Sequence, residues 1–287
     1  MQYRTMKKTF IEQIKAKWAE NKYVSVGLDP VWEKIPEHLR NGKSYGDPRV
    51  LFQFCREIID ATKDLVNSYK PNSAFFEAYG PQGIEALKDV CDHIHNTTEV
   101  PIILDFKRGD IGSTNEGYVT FAFEYLQADA VTVHPWLGKE AMKPFLDRKE
   151  KGIIVLCKTS NEGSDQFQNL MTDQKVPLYM HVAKTVNEDW NTNGNCMLVV
   201  GATYPAELQA VRATVPHLGI LVPGIGAQGG DIEAALNAGL ITGSKDGLII
   251  NSSRGIIYAS ASIDFAIAAR EETSKLNEHI ILCLEKR

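Results

Sequence analysis

Long apolar runs are missing from this 287-residue sequence. None approaches the roughly 18 residues that cross a bilayer as a helix, so no membrane is expected as a partner. A surplus of cations is missing too. Lysine and arginine number 31 against 36 aspartates and glutamates, a formal net charge of −5 at pH 7. Such a chain has little with which to neutralise a run of phosphates. That argues against nucleic acid as a partner but leaves room for a small basic pocket holding one phosphate. Cysteine is scarce, and Cys55, Cys91, Cys157, Cys196 and Cys283 include no CxxC pair. An odd, dispersed set suits buried thiols in a reducing cytosol better than disulfides or a zinc centre. No Gly- or Pro-rich linker and no shift in composition divides the chain, so one domain over residues 1–287 is expected. From Thr5 to Asn21 an amphipathic pattern carries Lys7, Lys8, Lys15 and Lys17, which reads as an extra N-terminal helix. Glu12, Glu20 and the lack of a long apolar core fit neither a signal peptide nor a transit peptide, and the expected location is cytoplasmic.

What the sequence does have is a series of short apolar runs: Tyr23–Leu28, Val66–Lys70, Pro101–Phe106, Ala130–His134, Gly152–Cys157, Met197–Gly201, Leu218–Val222 and Gly247–Asn251. Most are too apolar to leave one face in water, as befits parallel strands covered by helices. Helical signals lie between them. Asp47-Pro48 is an N-cap followed by proline at the first helical position, and Val50, Leu51, Phe54, Ile58 and Leu65 continue an apolar stripe. Pro81 to His95 carries Ile84, Leu87, Val90, Cys91 and Ile94 at helical spacing. Strand and helix alternating eight times predict an α/β fold, a single (β/α)8 TIM barrel with the extra helix at its N-terminus. A doubly wound open sheet is the alternative.

Chemistry collects at the C-terminal ends of these runs, where barrels and open sheets alike place their ligands. The densest stretch is Asp105-Phe106-Lys107-Arg108-Gly109-Asp110-Ile111-Gly112-Ser113-Thr114, directly after an apolar strand. Alternation along an extended segment points Asp105 and Lys107 to one side. Asp110 lies beyond the strand and reaches either the same space or a neighbouring subunit. A solvated charged turn is the plainer reading of such a run. Asp29, after the first strand, doubles as a turn residue before Pro30. Lys70, closing the second, doubles as a snorkelling surface side chain. His134 ends the fourth strand without the clustered partners a metal requires. The fifth ends in Cys157-Lys158-Thr159-Ser160-Asn161, and about fifteen polar residues then lead to Val176, a length that suits a lid over a catalytic face or a mobile surface insertion. After the seventh, Pro223-Gly224-Ile225-Gly226-Ala227-Gln228-Gly229 contains a literal GxGxxG. It falls late in the chain and no acidic residue ends the next strand. A nest of backbone N–H groups for a single phosphate therefore fits better than a dinucleotide site. The eighth leads into Ser253-Arg254-Gly255, where Arg254 can fork two donors onto phosphate oxygens and Gly255 permits close approach. Barrel loops after strands seven and eight commonly build such a site together.

The pattern Asp105-x-Lys107-x-x-Asp110-Ile111-Gly112-x-Thr114 resembles the signature of the orotidine 5′-phosphate decarboxylase family, with every fixed position filled. The likeness runs from Val24 to Gly255 and is to the longer bacterial form, without an attached phosphoribosyltransferase domain. It implies conversion of orotidine 5′-phosphate to UMP and carbon dioxide, the last step of de novo pyrimidine synthesis, with no metal and no organic cofactor. It also implies a homodimer with shared active sites. Carried over by resemblance, Lys107 is the proton donor, Asp105 and Asp110 orient the lysines, and Lys70 balances charge and touches the ribose. Asp29 holds a ribose hydroxyl, and Thr114 reaches another across the dimer interface. Ser160 bonds the pyrimidine base, and the following loop, with Gln166 and Gln168, closes over the ligand. Pro223, Gly224, Gln228, Arg254 and Gly255 surround the phosphate. Two other classes fit parts of the pattern. One is a magnesium-dependent sugar-phosphate decarboxylase or aldolase on the same barrel, which lacks the base-binding serine and the lid. The other is a non-catalytic nucleotide-binding barrel. Two lysines and two aspartates in one pocket argue against it, because they are costly unless used.

Overall fold

Eight strands are buried at most positions, and all but the second carry branched aliphatic residues: Val24–Leu28 (β1), Ser68–Pro71 (β2), Ile103–Arg108 (β3), Ala130–Val133 (β4), Gly152–Lys158 (β5), Cys196–Val200 (β6), Gly219–Pro223 (β7) and Leu248–Ser252 (β8). The computed structural model describes residues 8–225 and 231–287. Every strand pairing is parallel, in the order β2-β1-β8-β7-β6-β5-β4-β3. Bridges Tyr69–Ile102 and Asn72–Asp105, with the Tyr69 N–H donating to the Pro101 carbonyl at 3.1 Å, join β2 to β3 and complete the ring. Parallel neighbours require crossovers, and helices supply them. The (β/α)8 barrel expected from the alternation is what the chain forms, with strand limits within two residues of the apolar runs.

The helices follow their signals. Pro48–Thr62 begins at Asp47, whose carboxylate accepts from the Arg49 N–H at 2.9 Å, and it buries Val50, Leu51, Phe54 and Ile58. It ends before Leu65, so the apolar stripe outruns the helix. Pro81–Thr97 packs on it through a face that includes Leu87, Val90 and Ile94. Phe265–Glu285 closes the layer from the other side, with the Phe265 and Phe54 rings stacked at 5.4 Å.

Among the described residues one helix precedes β1, as expected, and it seals the N-terminal mouth of the barrel. Phe10–Ala19 is started by a capping box between Thr9 and Glu12. Phe10, Ile14 and Trp18 recur every four residues and are all buried. The Phe10 ring lies against Gly152 at the start of β5, and Trp18 Nε1 donates to the Leu248 carbonyl at the start of β8, 2.7 Å away. The opposite, C-terminal mouth is left for chemistry.

Candidate active site

At the C-terminal ends of β2, β3 and β4 three side chains converge on one carboxylate. Lys70 Nζ donates to Asp105 Oδ2 at 2.8 Å, Lys107 Nζ to Oδ1 at 2.5 Å and the Thr132 hydroxyl to Oδ1 at 2.8 Å. Lys70 is 4% exposed and Asp105 7%, so neither is the surface residue or solvated turn that local pattern allows. Burial alone would push the Asp105 carboxyl up. Lys70 and Lys107 outweigh that and hold it well below the usual carboxylate range. Burial also opposes the charged form of Lys70, but Asp105 and Asp29 turn the balance and raise its pKa. The pair is therefore ionised at neutral pH. Lys107 differs from Lys70 in reach: its side chain is 47% exposed and borders open space.

Asp105 and Lys107 meet, but not through the regular alternation of a strand. The β3–β4 register breaks between Leu104 and Arg108, and Lys107 lies in the left-handed region at φ 46°. A bulge of this kind re-aims side chains at the rim of a barrel.

Two cavities of about 470 Å³ each meet at Lys70, Asp105 and Pro223 to form one cleft across the mouth. Asp29, Lys34, Gly224 and Arg254 border one end. A Cβ on Gly27 in β1 would overlap Ser253 Oγ, so glycine there lets the turn before Arg254 close against β1. Gly224 adopts φ 96°, which also calls for glycine. Gly255 is under no such demand: a Cβ there would meet only Ser252 Oγ, at 3.7 Å. Gln228 lies outside the described residues. Asp29 Oδ1 is buried without a hydrogen-bond partner among the described residues, an acceptor open to a ligand hydroxyl.

The other end of the cleft is bordered by Lys107, Thr132, Ser160 and Gln168. Gln168, rather than the exposed Gln166, turns inward. Its amide accepts from the Thr159 N–H at 2.9 Å and donates to the Thr159 hydroxyl at 2.8 Å, folding the loop back on its stem. A short helix, Asp165–Gln168, and a bridge between Met171 and Pro177 give this loop internal structure.

Asp110 and Thr114 are not drawn into the Asp105 cluster. An Asp110 carboxylate oxygen accepts from the Ile111 N–H at 2.8 Å, and Asp110 enters none of the ion pairs among the described residues. Thr114 is exposed, and Ile111 is 64% exposed. His134 bonds the Gly109 carbonyl, and no group of three or more His, Cys, Asp or Glu side chains among the described residues is arranged to hold a metal.

Thr132 and Lys158 are site-region residues that the sequence reading passed over. Thr132 carried a signal, as the one polar residue in Ala130–Val133. Lys158 closes an apolar strand just as Lys70 does. It is 1% exposed, its ammonium donates to Ser164 Oγ at 3.0 Å, and it sits 4.7 Å above the Tyr204 ring.

Residues 22–266 match the family model described as Orotidine 5'-phosphate decarboxylase / HUMPS family. A protein of Janthinobacterium sp. (strain Marseille) named orotidine 5'-phosphate decarboxylase is 49% identical over 265 residues, 92% of this chain and 94% of that protein. Its namesake from Cupriavidus metallidurans is 48% identical over 274 residues, 95% of this chain and 97% of that protein. A solved structure of Leishmania donovani OMP decarboxylase superposes with a TM-score of 0.82 at 36% identity, covering 96% of this chain and 98% of that one. The Leishmania donovani UMP synthase structure gives a TM-score of 0.85 at 38% identity, and there the matched part spans 57% of the longer chain.

Proposed function

Because the chain belongs to the orotidine 5′-phosphate decarboxylase / HUMPS family, we propose that Lys107 is the proton donor in a decarboxylation of orotidine 5′-phosphate to UMP and carbon dioxide. The observation that carries the reading is the Lys70–Asp105–Lys107 array, lying in a cleft whose far end presents Arg254. Loss of the carboxylate breaks the bond from C6 of the base and leaves an electron pair in the ring plane. An ammonium beside that carbon stabilises the pair and then delivers a proton to C6. Lys107 suits this role because its ammonium donates to Asp105, which directs it, while its side chain still borders the cleft. Buried Lys70 keeps Asp105 ionised, and Asp105, fixed from three directions, does not follow the proton.

The remaining roles follow the cleft from end to end. Arg254, Gly224 and Gln228 take the 5′-phosphate, with Pro223 and Gly255 beside them. Asp29 takes a ribose hydroxyl on its unpartnered oxygen, a reading supported by that oxygen's burial. Ser160 bonds the pyrimidine, and the Gln168 loop folds over it. Asp110 and Thr114 serve the pocket of a second copy in a homodimer, which their separation from the Asp105 cluster and the exposed Ile111 between them support. Lys107→Ala should abolish UMP formation from orotidine 5′-phosphate, with product followed spectrophotometrically beside circular dichroism. Near-normal turnover in the folded variant would remove Lys107 from the mechanism.

A further inference from the structure

The backbone from Lys107 to Asp110 is held from outside at successive polar groups. Thr132 Oγ1 accepts from the Lys107 N–H at 3.1 Å, and the His134 N–H donates to the Arg108 carbonyl at 3.2 Å. His134 Nε2 lies 3.1 Å from the Gly109 carbonyl, and Asn115 Oδ1 accepts from the Asp110 N–H at 2.9 Å. The Asn115 amide also donates to the carbonyls of Asp110 and Ala141, tying this corner to the next helix. His134 holds two consecutive peptides just beyond Lys107, the first through its backbone N–H and the second through its ring.

Its chemistry is constrained. A carbonyl only accepts, so Nε2 must carry a proton and stands as the donor in this contact. Nδ1 is buried with no hydrogen-bond partner among the described residues. A donor facing a carbonyl is no general base, and an orphaned buried nitrogen is a cost that packing alone would avoid by placing an apolar side chain here. Gly109 completes the fit: a Cβ there would fall 2.7 Å from ring atoms Cε1 and Nε2. The ring reaches the loop because residue 109 has no side chain.

We propose that His134 is a positioning residue for the reaction, holding the Arg108-Gly109 peptides so that left-handed Lys107 and Asp110 stay at fixed places on either side. The proposal rests on the catalytic reading of Lys107 given above. It predicts that loosening the grip damages chemistry more than binding, because a displacement of about 1 Å can cost on the order of a hundredfold in rate.

The experiment uses His134→Ala, His134→Gln, Gly109→Ala and the double variant Gly109→Ala/His134→Ala, all in the full chain. His134→Ala should lower kcat by roughly 10- to 100-fold with KM for orotidine 5′-phosphate changed less than about threefold. His134→Gln, whose amide nitrogen can stand near the place of Nε2, should recover most of the loss. Gly109→Ala should be as damaging as His134→Ala. Adding it to His134→Ala should cost little more, since the ring it collides with is gone. Hydrogen exchange of amides 107–111 should quicken in His134→Ala while the strands keep their protection. Wild-type kcat in His134→Ala, or an equal loss in His134→Gln, or independent multiplying losses in the double variant, would overturn the proposal. An active Lys107→Ala would instead remove the catalytic reading, and the exchange result would still show whether His134 holds the loop.

Discussion

Asp105 is the residue on which the site turns, because one carboxylate serves three donors and two of them are cations. Replacing it by asparagine leaves Lys70 buried without its counter-charge, which should cost about 3–5 kcal/mol of unfolding free energy at neutral pH. The pH dependence has a definite sign. The Asp105 carboxyl is held below its unfolded value near 3.9, so its contribution is complete above that value and is lost as pH falls further. Lys70 is raised, so its contribution is complete below about 10.4 and is lost only as pH climbs beyond it. Urea unfolding should therefore show the advantage of wild type over Asp105→Asn undiminished from pH 8 down to roughly pH 5 and fading below about pH 4. A difference that shrinks between pH 7 and 5 would point to another titrating group.

At the scale of elements, the turns after β7 and β8 should act as a handle remote from the reacting carbon. Energy gained there organises the cleft around the base, so it should appear in the rate of the whole nucleotide. Two charge-assisted hydrogen bonds of about 1.5–3 kcal/mol each would make Arg254→Ala lose roughly 10²- to 10⁴-fold in kcat/KM for orotidine 5′-phosphate. The much slower reaction of a substrate without phosphate should barely change. Equal losses on both substrates would mean that Arg254 does not hold phosphate. These elements were also the most legible part of the sequence. Parallel strands covered on both faces are apolar almost throughout, so eight runs announced themselves, among them Met197–Gly201 for the strand Cys196–Val200. Asp29, Lys70, Asp105, Lys107 and Arg254 stood at their ends and do line the cleft. Irregular backbone was not legible. Nothing in Asp105-Phe106-Lys107 marks the bulge or the left-handed Lys107, and strict alternation would have given the right neighbours for the wrong reason. Nor does a lone threonine in Ala130–Val133 say which neighbouring strand it faces, because strand order is a property of the closed ring.

The whole molecule gives Asp110 its meaning, since it stands outside its own chain's ion-paired cluster. Suppose that Lys107→Ala and Asp110→Ala proteins, each inactive, are unfolded together and refolded as a mixture. If each pocket takes Lys107 from one copy and Asp110 from the other, a mixed dimer carries both lesions in one site and none in the second. Random pairing makes half the dimers mixed, so activity should return to roughly a quarter of wild type. If both residues serve one chain's pocket, every site keeps a lesion and no activity returns. Light scattering that confirms re-formed dimers, together with no recovery, would refute the shared site.

The seal at the far mouth bears on how such a chain comes to exist at all. Trp18 is held by the carbonyl of Leu248, 230 residues later, and β1 pairs with β8 across a similar span. On a ribosome the first helix emerges long before the strand that receives it. Until then Trp18 lacks its acceptor, although Phe10 can already meet Gly152 of β5, and the ring of strands stays open along one side. Contacts so distant in sequence form late and slowly, and an exposed strand edge invites pairing with other chains meanwhile. The helix that finishes the barrel is thus its earliest-made part, and it waits for nearly all of the rest.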